Sequence, residues 1–491
     1  MTPGTMLQYF HWYMPNDGSL WKQIKSEAPK LKSLGFTAIW FPPAYKGSGG
    51  GFSEGYDPYD LYDLGEFDQK GSVRTKFGTR EEYFEAIDAV HAEGMQVIVD
   101  IVLNHKAGGD EREKITVVKV NPDNRTKVIS APFEIEAFTK FTFPGRNKKY
   151  SEFEWDYMCF SGVDTGNNGE NGVFRILNGN GDSWDAVVGD EKGNYDFLMF
   201  NDIDFRNNAV REELISWAKW YWYQRNFDGV RLDAVKHITP SFYAEWLPKL
   251  RESTGKEIFA VGEFWAPAFL NLLLKYIEAT NGEMSLFDSS LHQNFHIAST
   301  RQNKYDMRKI LDETLVKAMP EKAVTVVDNH DTQPLQALEA PVEAWFKAIA
   351  YAIILLREEG YPCVFYPDVY GAHYKDHGKD GKEYEIWLEK VEELEPILQA
   401  RCNHAFGTQR DYFNHHNCIG WTREGDENHS GCAVLLSNGD KGHKKMEIGK
   451  RYAGKIFRDM LAKRKEEIKI NHDGWGKFFC PAGSVSVWVA K

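Results

Sequence analysis

Four short segments of the 491-residue chain carry side chains suited to acid–base chemistry, each directly after an apolar, β-rich run. A single aspartate in such a place is usually a helix cap or an ion-pair partner. Four segments loaded with carboxylates and imidazoles are poorly explained as solvated surface. The side chains concerned are Asp100, His105, Arg231, Asp233, Lys236, His237, Glu263, Trp265, Asp328, His330 and Asp331.

Asp233 and Glu263 suit glycoside hydrolysis with retention of configuration. That reaction uses two carboxyl groups about 5–5.5 Å apart, one as nucleophile and one as acid/base. Neighbouring parallel strands lie about 4.8 Å apart, so carboxylates at two adjacent strand ends can reach this separation. Arg231, two residues before Asp233 on the same strand face, would keep Asp233 ionised. Phe264 and Trp265 would raise the pKa of Glu263 and keep it a proton donor.

The other residues at these strand ends could bind a sugar substrate or, alternatively, a metal ion. Asp331 could bind a pair of sugar hydroxyls, and the three histidines are suitable hydrogen-bond partners for ring hydroxyls. Metal-assisted hydrolysis is the competing chemistry, because histidines and carboxylates at a barrel rim also bind zinc or manganese. The first β-rich run holds no H-x-H pair and no tight ligand spacing occurs, which disfavours that alternative.

Alternating strand and helix patterns predict the element that positions these side chains. Near-continuous apolar runs separated by amphipathic stretches, such as 21–34, 80–92 and 210–225, indicate parallel strands buried on both faces. We therefore predict an α/β fold with a (β/α)8 TIM barrel, whose C-terminal rim carries the site. No G-x-G-x-x-G follows the first run, which disfavours a dinucleotide-binding sheet. The predicted strands are 8–13, 37–41, 97–103, 229–234, 259–262, 323–327 and 363–366, with an eighth near 285–290.

The alternation breaks twice, and these breaks predict three domains. The barrel is assigned to residues 1–104 and 205–397. A polar, Gly/Asn-rich stretch at 105–204 is too long for a loop and is interpreted as an inserted, irregular, β-rich subdomain. Short alternating runs after residue 398 predict a C-terminal antiparallel β-sandwich at 398–491. The most apolar stretch, 345–356, is interrupted by Lys347 and predicts a buried helix.

Composition excludes several classes of protein. The formal charge is 59 − 72 = −13, so the chain has no electrostatic footprint for nucleic acid or anionic lipid. No run approaches 18 apolar residues, so no membrane span is predicted. The six cysteines form no C-x-x-C pair and no signal peptide is visible. We expect buried, reduced thiols in a cytoplasmic protein, with secretion after signal removal as the alternative. The aromatic content of 14% is high, and most of it is assigned to the core.

The segments 100–105, 229–237, 262–265 and 327–331 resemble, in order, the four signature regions of the α-amylases of glycoside hydrolase family 13. The match is denser with the bacterial liquefying amylases, at 8–13, 40–47, 55–68 and 329–334. It covers nearly all of the chain, including 483–488. The six cysteines, the missing signal and residues 407–421 resemble the intracellular branch of that group.

The resemblance implies a role for each matching residue. Asp233 matches the nucleophile, Glu263 the general acid/base and Asp331 the transition-state stabiliser. Tyr56 matches the aromatic ring under the sugar at the −1 subsite. The other implied substrate contacts are His105, Arg231, Lys236, His237, Trp265 and His330.

A calcium site is also implied, since Ca²⁺ takes six to eight oxygen ligands. The residues that match it are Asn104, Asp196, Asp202 and the carbonyl of His237, with Asp185 and Asp204 nearby. Secreted relatives extend this site into a multi-metal cluster, and here the chain departs from them. Ser161 and Arg206 replace two aspartates of that cluster, and Asn417 and Asn438 replace two at a further site. We therefore expect one calcium ion.

These observations predict an endo-acting hydrolase of α-1,4-glucans with a covalent glycosyl-enzyme intermediate. A maltooligosaccharide-forming exo-amylase and a transglycosylase share the same carboxylates and remain alternatives. A non-catalytic glucan-binding protein is disfavoured, because Asp233, Glu263 and Asp331 are all present. The expected partner is a neutral glucan, with no nucleic acid and no membrane, and the expected state is a monomer.

Overall fold

Eight parallel strands close into a barrel in a computed structural model that describes residues 4–181 and 183–491. Each strand pairs with its neighbours in chain order, and strand 1 closes the ring against strand 8. The predicted (β/α)8 barrel is thus confirmed. In chain order, barrel strands 1 to 8 are Met6–Gln8, Ala38–Phe41, Gln96–Ile101, Gly229–Leu232, Phe259–Gly262, Ser285–Phe287, Ala323–Val326 and Tyr361–Phe365.

The predicted first strand at 8–13 is wrong in its position. Strand 1 ends at Gln8, and one further backbone bond joins Tyr9 N–H to the carbonyl of Trp40 before the chain leaves the barrel. Tyr9 and Phe10 are nonetheless buried, because their rings pack against Tyr366 and Trp40 respectively. The apolar pattern of 8–13 therefore reports packing rather than strand pairing. The other seven predicted strands overlap the observed ones and differ at their ends.

Helices surround the barrel, and local sequence explains their ends. Thr79 accepts a hydrogen bond from the N–H of Glu82, whose side chain bonds back to the N–H of Thr79 and completes a capping box. The buried helix predicted at 345–356 is confirmed as Ala344–Leu356. The α-helices are Leu20–Leu34, Arg80–Ala92, Asn208–Arg225, Pro240–Thr254, Leu270–Ala279, Ser289–Arg301, Leu315–Ala318, Ala344–Leu356, Tyr366–Tyr370 and Leu394–Asn403. The 3-10 helices are Gly50–Phe52, Tyr157–Cys159, Asn167–Gly169, Val235–His237, Gln302–Lys304, Met307–Lys309, Pro320–Lys322 and Lys450–Tyr452.

Between strands 3 and 4 the chain forms a seven-stranded sheet with long irregular connections. Its first and last strands pair with each other, where His105 lies opposite Asp202. The insertion therefore begins and ends at one place on the barrel rim. Its strands are His105–Lys106, Glu111–Asn121, Asn124–Val128, Phe133–Lys140, Phe160–Thr165, Asn171–Ile176 and Asn201–Ile203.

The C-terminal part is antiparallel, as predicted, with a six-stranded and a two-stranded sheet around a separate small core. Helix Leu394–Asn403 runs across the predicted boundary at 397/398, so the exact domain limits remain predictions. All six cysteines are free thiols; five are buried and Cys402 is half-buried. The strands are Gln409–Tyr412, Cys418–Gly425, Ser430–Ser437, Gly442–Glu447, Ile456–Asp459, Ile468–Lys469, Trp475–Cys480 and Ser484–Ala490.

Two hairpins stand on the C-terminal rim of the barrel. Strands Lys46–Gly47 and Pro58–Asp60 follow barrel strand 2. Strands Ala372–His377 and Glu383–Leu388 follow barrel strand 8 and are named the rim hairpin below. Within the described ranges, no helix is both long enough and apolar enough to cross a membrane.

Candidate active site

Strand register places Asp233 beside Glu263. Leu232 pairs with Gly262 in strands 4 and 5, and Glu263 N–H donates to the carbonyl of Leu232 at 2.9 Å. On the other side, Asp233 N–H donates to the carbonyl of Ile101 at 2.9 Å. Both carboxylates therefore leave adjacent strands at the same level, with a strand spacing of about 4.8 Å.

Strand 4 stops directly after Leu232 because the backbone turns at Ala234. Its φ of 48° lies in the left-handed region, which is strained for a residue with a Cβ. The turn starts the 3-10 helix Val235–His237. It therefore brings Lys236 and His237 to the same rim as Asp233.

Arg231 joins the carboxylates. Its Nη1 donates to Asp233 at 2.7 Å and to Asp100 at 3.0 Å, and its Nη2 donates to Glu263 at 2.6 Å. The Arg231 side chain is 1% exposed. A buried cation among three carboxylates lowers the cost of keeping negative charge there and fixes the positions of two of the expected catalytic groups. Asp100 was noted at its strand end, but its contact with Arg231 was not predicted.

Glu263 and Asp331 hold protons more tightly than ordinary carboxyl groups. Burial raises the pKa of Glu263 well above its usual value; the Arg231 guanidinium opposes this shift, and the charges of Asp233 and Asp331 add to it. Burial also raises the pKa of Asp331 to about 7, with Asp233 and Asp100 contributing. A side-chain hydrogen bond with Glu263 favours the ionised form of Asp331. The pair thus suits a protonated Glu263 facing an ionised Asp331.

These groups open into a cavity of about 560 Å³ at the barrel rim. The structure brings together in its lining all the residues predicted for catalysis and substrate contact except Arg231, which is buried behind Asp233 and Glu263. The predicted residues that line it are Tyr56, His105, Asp233, Lys236, His237, Glu263, Trp265, His330 and Asp331. Further lining residues, not predicted, include Trp12, Asp57, Tyr195, Phe200 and Gln336.

Aromatic rings form a stack on one wall of the cavity. The rings of Tyr56 and His330 lie 5.0 Å apart at 17°, and Trp12 stacks on Tyr56 at 5.7 Å. Tyr56 OH donates to Asp100 at 2.8 Å, and Gln8 Nε2 lies 3.0 Å from Nδ1 of His330. The stack is therefore held by hydrogen bonds to barrel strands. Trp12 could have been proposed from the aromatic run 8–13.

His105 and His237 each face a backbone carbonyl. His105 Nε2 lies 2.8 Å from the oxygen of Tyr56, and His237 Nδ1 lies 2.6 Å from that of Tyr195. Burial lowers the pKa of both rings, to about 3 for His237. Each is therefore neutral and donates one N–H to the loop that carries an aromatic lining residue. Lys236, also predicted, forms an ion pair with Glu191.

The six residues predicted around calcium lie where the insertion meets the barrel, and burial raises the pKa of three of them, Asp185, Asp196 and Asp202. Asn104 Nδ2 lies 3.2 Å from the carbonyl oxygen of His237 and 3.4 Å from Asp202 Oδ1. Burial and Asp185 raise the pKa of Asp196 to about 8, and burial and Asp196 raise that of Asp202. Oδ2 of Asp185 is buried with no hydrogen-bond partner among the described residues. Buried, mutually repelling oxygens with an orphaned carboxylate atom fit a hard cation.

Asp204, the fourth aspartate of this group, forms an ion pair with Arg206. Nε and Nη2 of Arg206 donate to the two oxygens of Asp204 at 2.7 and 2.9 Å. Ser161, the other departure, donates to Asp202. Within 4–181 and 183–491, no three or more histidine, cysteine or acidic side chains form a metal-binding group by themselves, so an ion here would also need the amide of Asn104 and the carbonyl of His237. At the further site, Asn417 Nδ2 donates to Asn438 Oδ1 at 2.8 Å, so the two amides bind each other.

Comparison with known proteins accounts for both parts of the chain. The profile of the alpha amylase catalytic domain matches residues 16–424, and that of the alpha-amylase C-terminal domain matches 433–489. The chain is 49% identical over 489 residues to a cytoplasmic alpha-amylase of Escherichia coli, covering 99% of both chains. It is 50% identical over 490 residues to an alpha-amylase of Geobacillus stearothermophilus, covering 99% of this chain and 87% of the relative.

Two further likenesses extend this result. A glucan 1,4-alpha-maltohexaosidase of Bacillus sp. is 47% identical over 494 residues, covering 100% of this chain and 93% of the relative. The solved structure of an alpha-amylase from Geobacillus thermoleovorans has a TM-score of 0.66 at 17% identity, covering 100% of this chain and 98% of that one. The latter supports the fold alone. On the family profiles and the identities near 50%, the chain belongs to the alpha-amylase family of glycoside hydrolases.

Proposed function

We propose that this protein is an α-amylase that cleaves internal α-1,4-glucosidic bonds of a neutral glucan with retention of configuration. The observation that carries the mechanism is the pair of bonds from Arg231 to Asp233 and Glu263, at 2.7 and 2.6 Å. They hold two carboxyl groups at adjacent strand ends, as a double displacement requires. Relatives near 50% identity, named alpha-amylases, support the substrate class.

In the first step, protonated Glu263 gives its proton to the glycosidic oxygen while the carboxylate of Asp233 attacks the anomeric carbon. The carbon–oxygen bond breaks, the shortened glucan leaves with the proton, and a glycosyl ester forms on Asp233. Burial keeps Glu263 protonated for this step. Arg231 binds Asp233 by an ion pair and orients it for attack.

In the second step, ionised Glu263 takes a proton from water, whose oxygen attacks the same anomeric carbon. Asp233 leaves as a carboxylate, and the second inversion restores the original configuration. Asp331 accepts hydrogen bonds from sugar hydroxyls and stabilises the positive charge of the transition state. The Tyr56 ring packs against the apolar face of that sugar.

A structural calcium ion fits the oxygen-rich group at the insertion. Asn104, Asp196, Asp202 and the carbonyl of His237 would hold it, with Asp185 next to them. Bound there, the ion would neutralise buried carboxylates and tie the insertion to the barrel. We propose a single site, because Arg206 already binds Asp204 and the amides of Asn417 and Asn438 bind each other.

Two experiments test the proposed activity. Proton NMR during hydrolysis of maltoheptaose should show the α-anomer as the first product, and a β-anomer would refute retention. Starch viscosity should fall before reducing sugar accumulates, since internal cuts shorten chains with few new ends. The Glu263→Gln variant is the control in both assays.

The product pattern separates the second candidate function. The 47% identity to a protein named a maltohexaosidase favours testing for one dominant oligosaccharide. Early release of a single maltooligosaccharide at nearly constant viscosity would support the exo-acting alternative, and large maltodextrins would support endo cleavage.

We also propose a cytoplasmic location from the likeness to the cytoplasmic alpha-amylase. The monomeric state stays a prediction, which light scattering would test.

A further inference from the structure

The rim hairpin is fastened to the wall of the active-site cavity by one face. Tyr374 is buried, stacks on Tyr13 at 3.9 Å and donates to the carbonyl of Pro334 at 3.0 Å. Tyr13 OH donates to Asp376 at 2.6 Å and accepts from Gln336 Nε2 at 2.7 Å. Because Gln336 also lines the cavity, the hairpin is continuous with the cavity wall.

The opposite face of the hairpin displays an aromatic ring to solvent. Trp387 is 68% exposed, and the next most exposed tryptophan of the described residues, Trp475, is 38% exposed. His373 lies opposite Trp387 in the strand pair, and the two rings stack at 3.6 Å and 13°. The stack holds one face of the indole against the hairpin, so the other face is presented flat to solvent.

Polar side chains of compensating charge lie along the same face. Glu385 is 2.8 Å from Nε2 of His373 and 3.5 Å from Nζ of Lys375. The carboxylate is therefore neutralised locally, and the surface offers both donors and acceptors with little net charge. A flat indole beside such groups suits a neutral ligand with one apolar face and many hydroxyls, which describes a pyranose ring.

We propose that this face, formed by His373, Lys375, Glu385 and Trp387 and named the hairpin platform, binds a second stretch of the α-1,4-glucan substrate. The inference rests on the proposed function. A cavity of about 560 Å³ holds only a few sugar rings, so the rest of a polymer must pass over the surrounding surface. The platform stands on the same rim, and its indole would stack on a sugar outside the cavity.

Binding is measured without hydrolysis in the Glu263→Gln background, by affinity electrophoresis in gels that contain glycogen. Adding Trp387→Ala should weaken the apparent affinity for glycogen about fivefold, the range expected for one aromatic stacking contact. Trp387→Phe should retain part of the affinity. The matched control is Tyr223→Ala, which removes an aromatic ring that is 62% exposed on helix Asn208–Arg225. It should leave the affinity for glycogen unchanged.

The active enzyme provides a second readout. The ratio of kcat/KM on glycogen to kcat/KM on maltotriose should fall about fivefold in Trp387→Ala, through a higher KM on glycogen. If this kcat/KM ratio in Trp387→Ala stays within twofold of wild type and the electrophoretic affinity for glycogen is unchanged, the proposal that the hairpin platform binds glucan is wrong. Absence of wild-type activity on both glucans would instead refute the proposed function, so the two failures are distinguishable.

Discussion

The backbone N–H of Glu263 donates a 2.9 Å hydrogen bond to the carbonyl oxygen of Leu232, one residue before Asp233. This hydrogen bond continues the register of strands 4 and 5, in which two carboxyl groups emerge side by side. Their spacing is therefore a property of the barrel ladder rather than of a flexible loop. Rigid strand ends suit a reaction whose stereochemical outcome depends on the separation of two oxygens.

Replacing Glu263 by glutamine should lower kcat on maltooligosaccharides about 10²- to 10⁴-fold, because the amide cannot donate the catalytic proton. The loss should be much smaller on an aryl maltoside whose leaving group needs no proton. Initial rates on both substrates measure this difference. Asp233→Asn is the matched variant and should fail on both, since it removes the nucleophile. Equal losses for Glu263→Gln on both substrates would contradict the acid/base role.

Asp331→Asn should move the alkaline limb of kcat/KM to lower pH. Only protonated Glu263 can give the first proton, so activity declines as pH rises through its pKa. Burial raises that pKa, and the negative charges of Asp233 and Asp331 raise it further. Removing one charge therefore lowers the pKa of Glu263. The residual activity of Asp331→Asn is followed against pH, with Asp123→Asn on the exposed surface as control. An alkaline limb that stays in place or rises would disprove the coupling.

Lys347→Met should destabilise the protein by about 3–5 kcal/mol. The buried Lys347 ammonium lies 3.0 Å from Asp328 and 2.5 Å from Asp368, so its loss leaves two buried carboxylates without a cation. Urea denaturation measures the change in the free energy of unfolding. Lys317→Met breaks an exposed pair with Asp312 and should cost less than about 1 kcal/mol.

Adding Asp368→Asn to Lys347→Met should restore part of this stability, because one of the unpaired charges is then removed. A double variant no more stable than Lys347→Met would show that the charges are not the cause.

Metal analysis of the dialysed protein should give about one calcium ion per chain, and three or more would contradict the single site. Arg206→Asp should raise the count, because it removes the cation that binds Asp204 and adds a carboxylate beside it. Arg225→Asp makes the same charge change on an outer helix and should leave the count unchanged. A chelator should lower the Tm of wild type, since buried Asp196 and Asp202 would then repel each other.

Local sequence predicted seven of the eight barrel strands, four of the helices and the expected catalytic residues. A run of apolar residues followed by Asp, Glu or His identifies a strand end without knowledge of its neighbours, and the parallel arrangement then collects those ends on one rim. The buried helix Ala344–Leu356 could also be predicted from its apolar run, in which Lys347 is the one charged residue.

Contacts between distant segments were decided only by the tertiary structure. The run 8–13 was misassigned because side-chain packing in the core and strand pairing require the same apolar residues. The bond from Arg231 to Asp100 spans 131 positions and the contact of Gln8 with His330 spans 322. No periodicity encodes such pairs, since they follow from how the barrel closes.

For the ionisable residues too, the sequence and the tertiary structure determine different properties. Composition and motif identified which carboxylates could react or bind a metal, because ionisable type is a property of the residue. Burial and neighbouring charge, which only the folded chain supplies, raise the pKa of Asp331 to about 7 and bind Asp204 to Arg206. The sequence by itself thus determined the chemical groups and the strands that carry them. The folded barrel decided their protonation and their partners, because electrostatic energy depends on distances across the structure rather than along the chain.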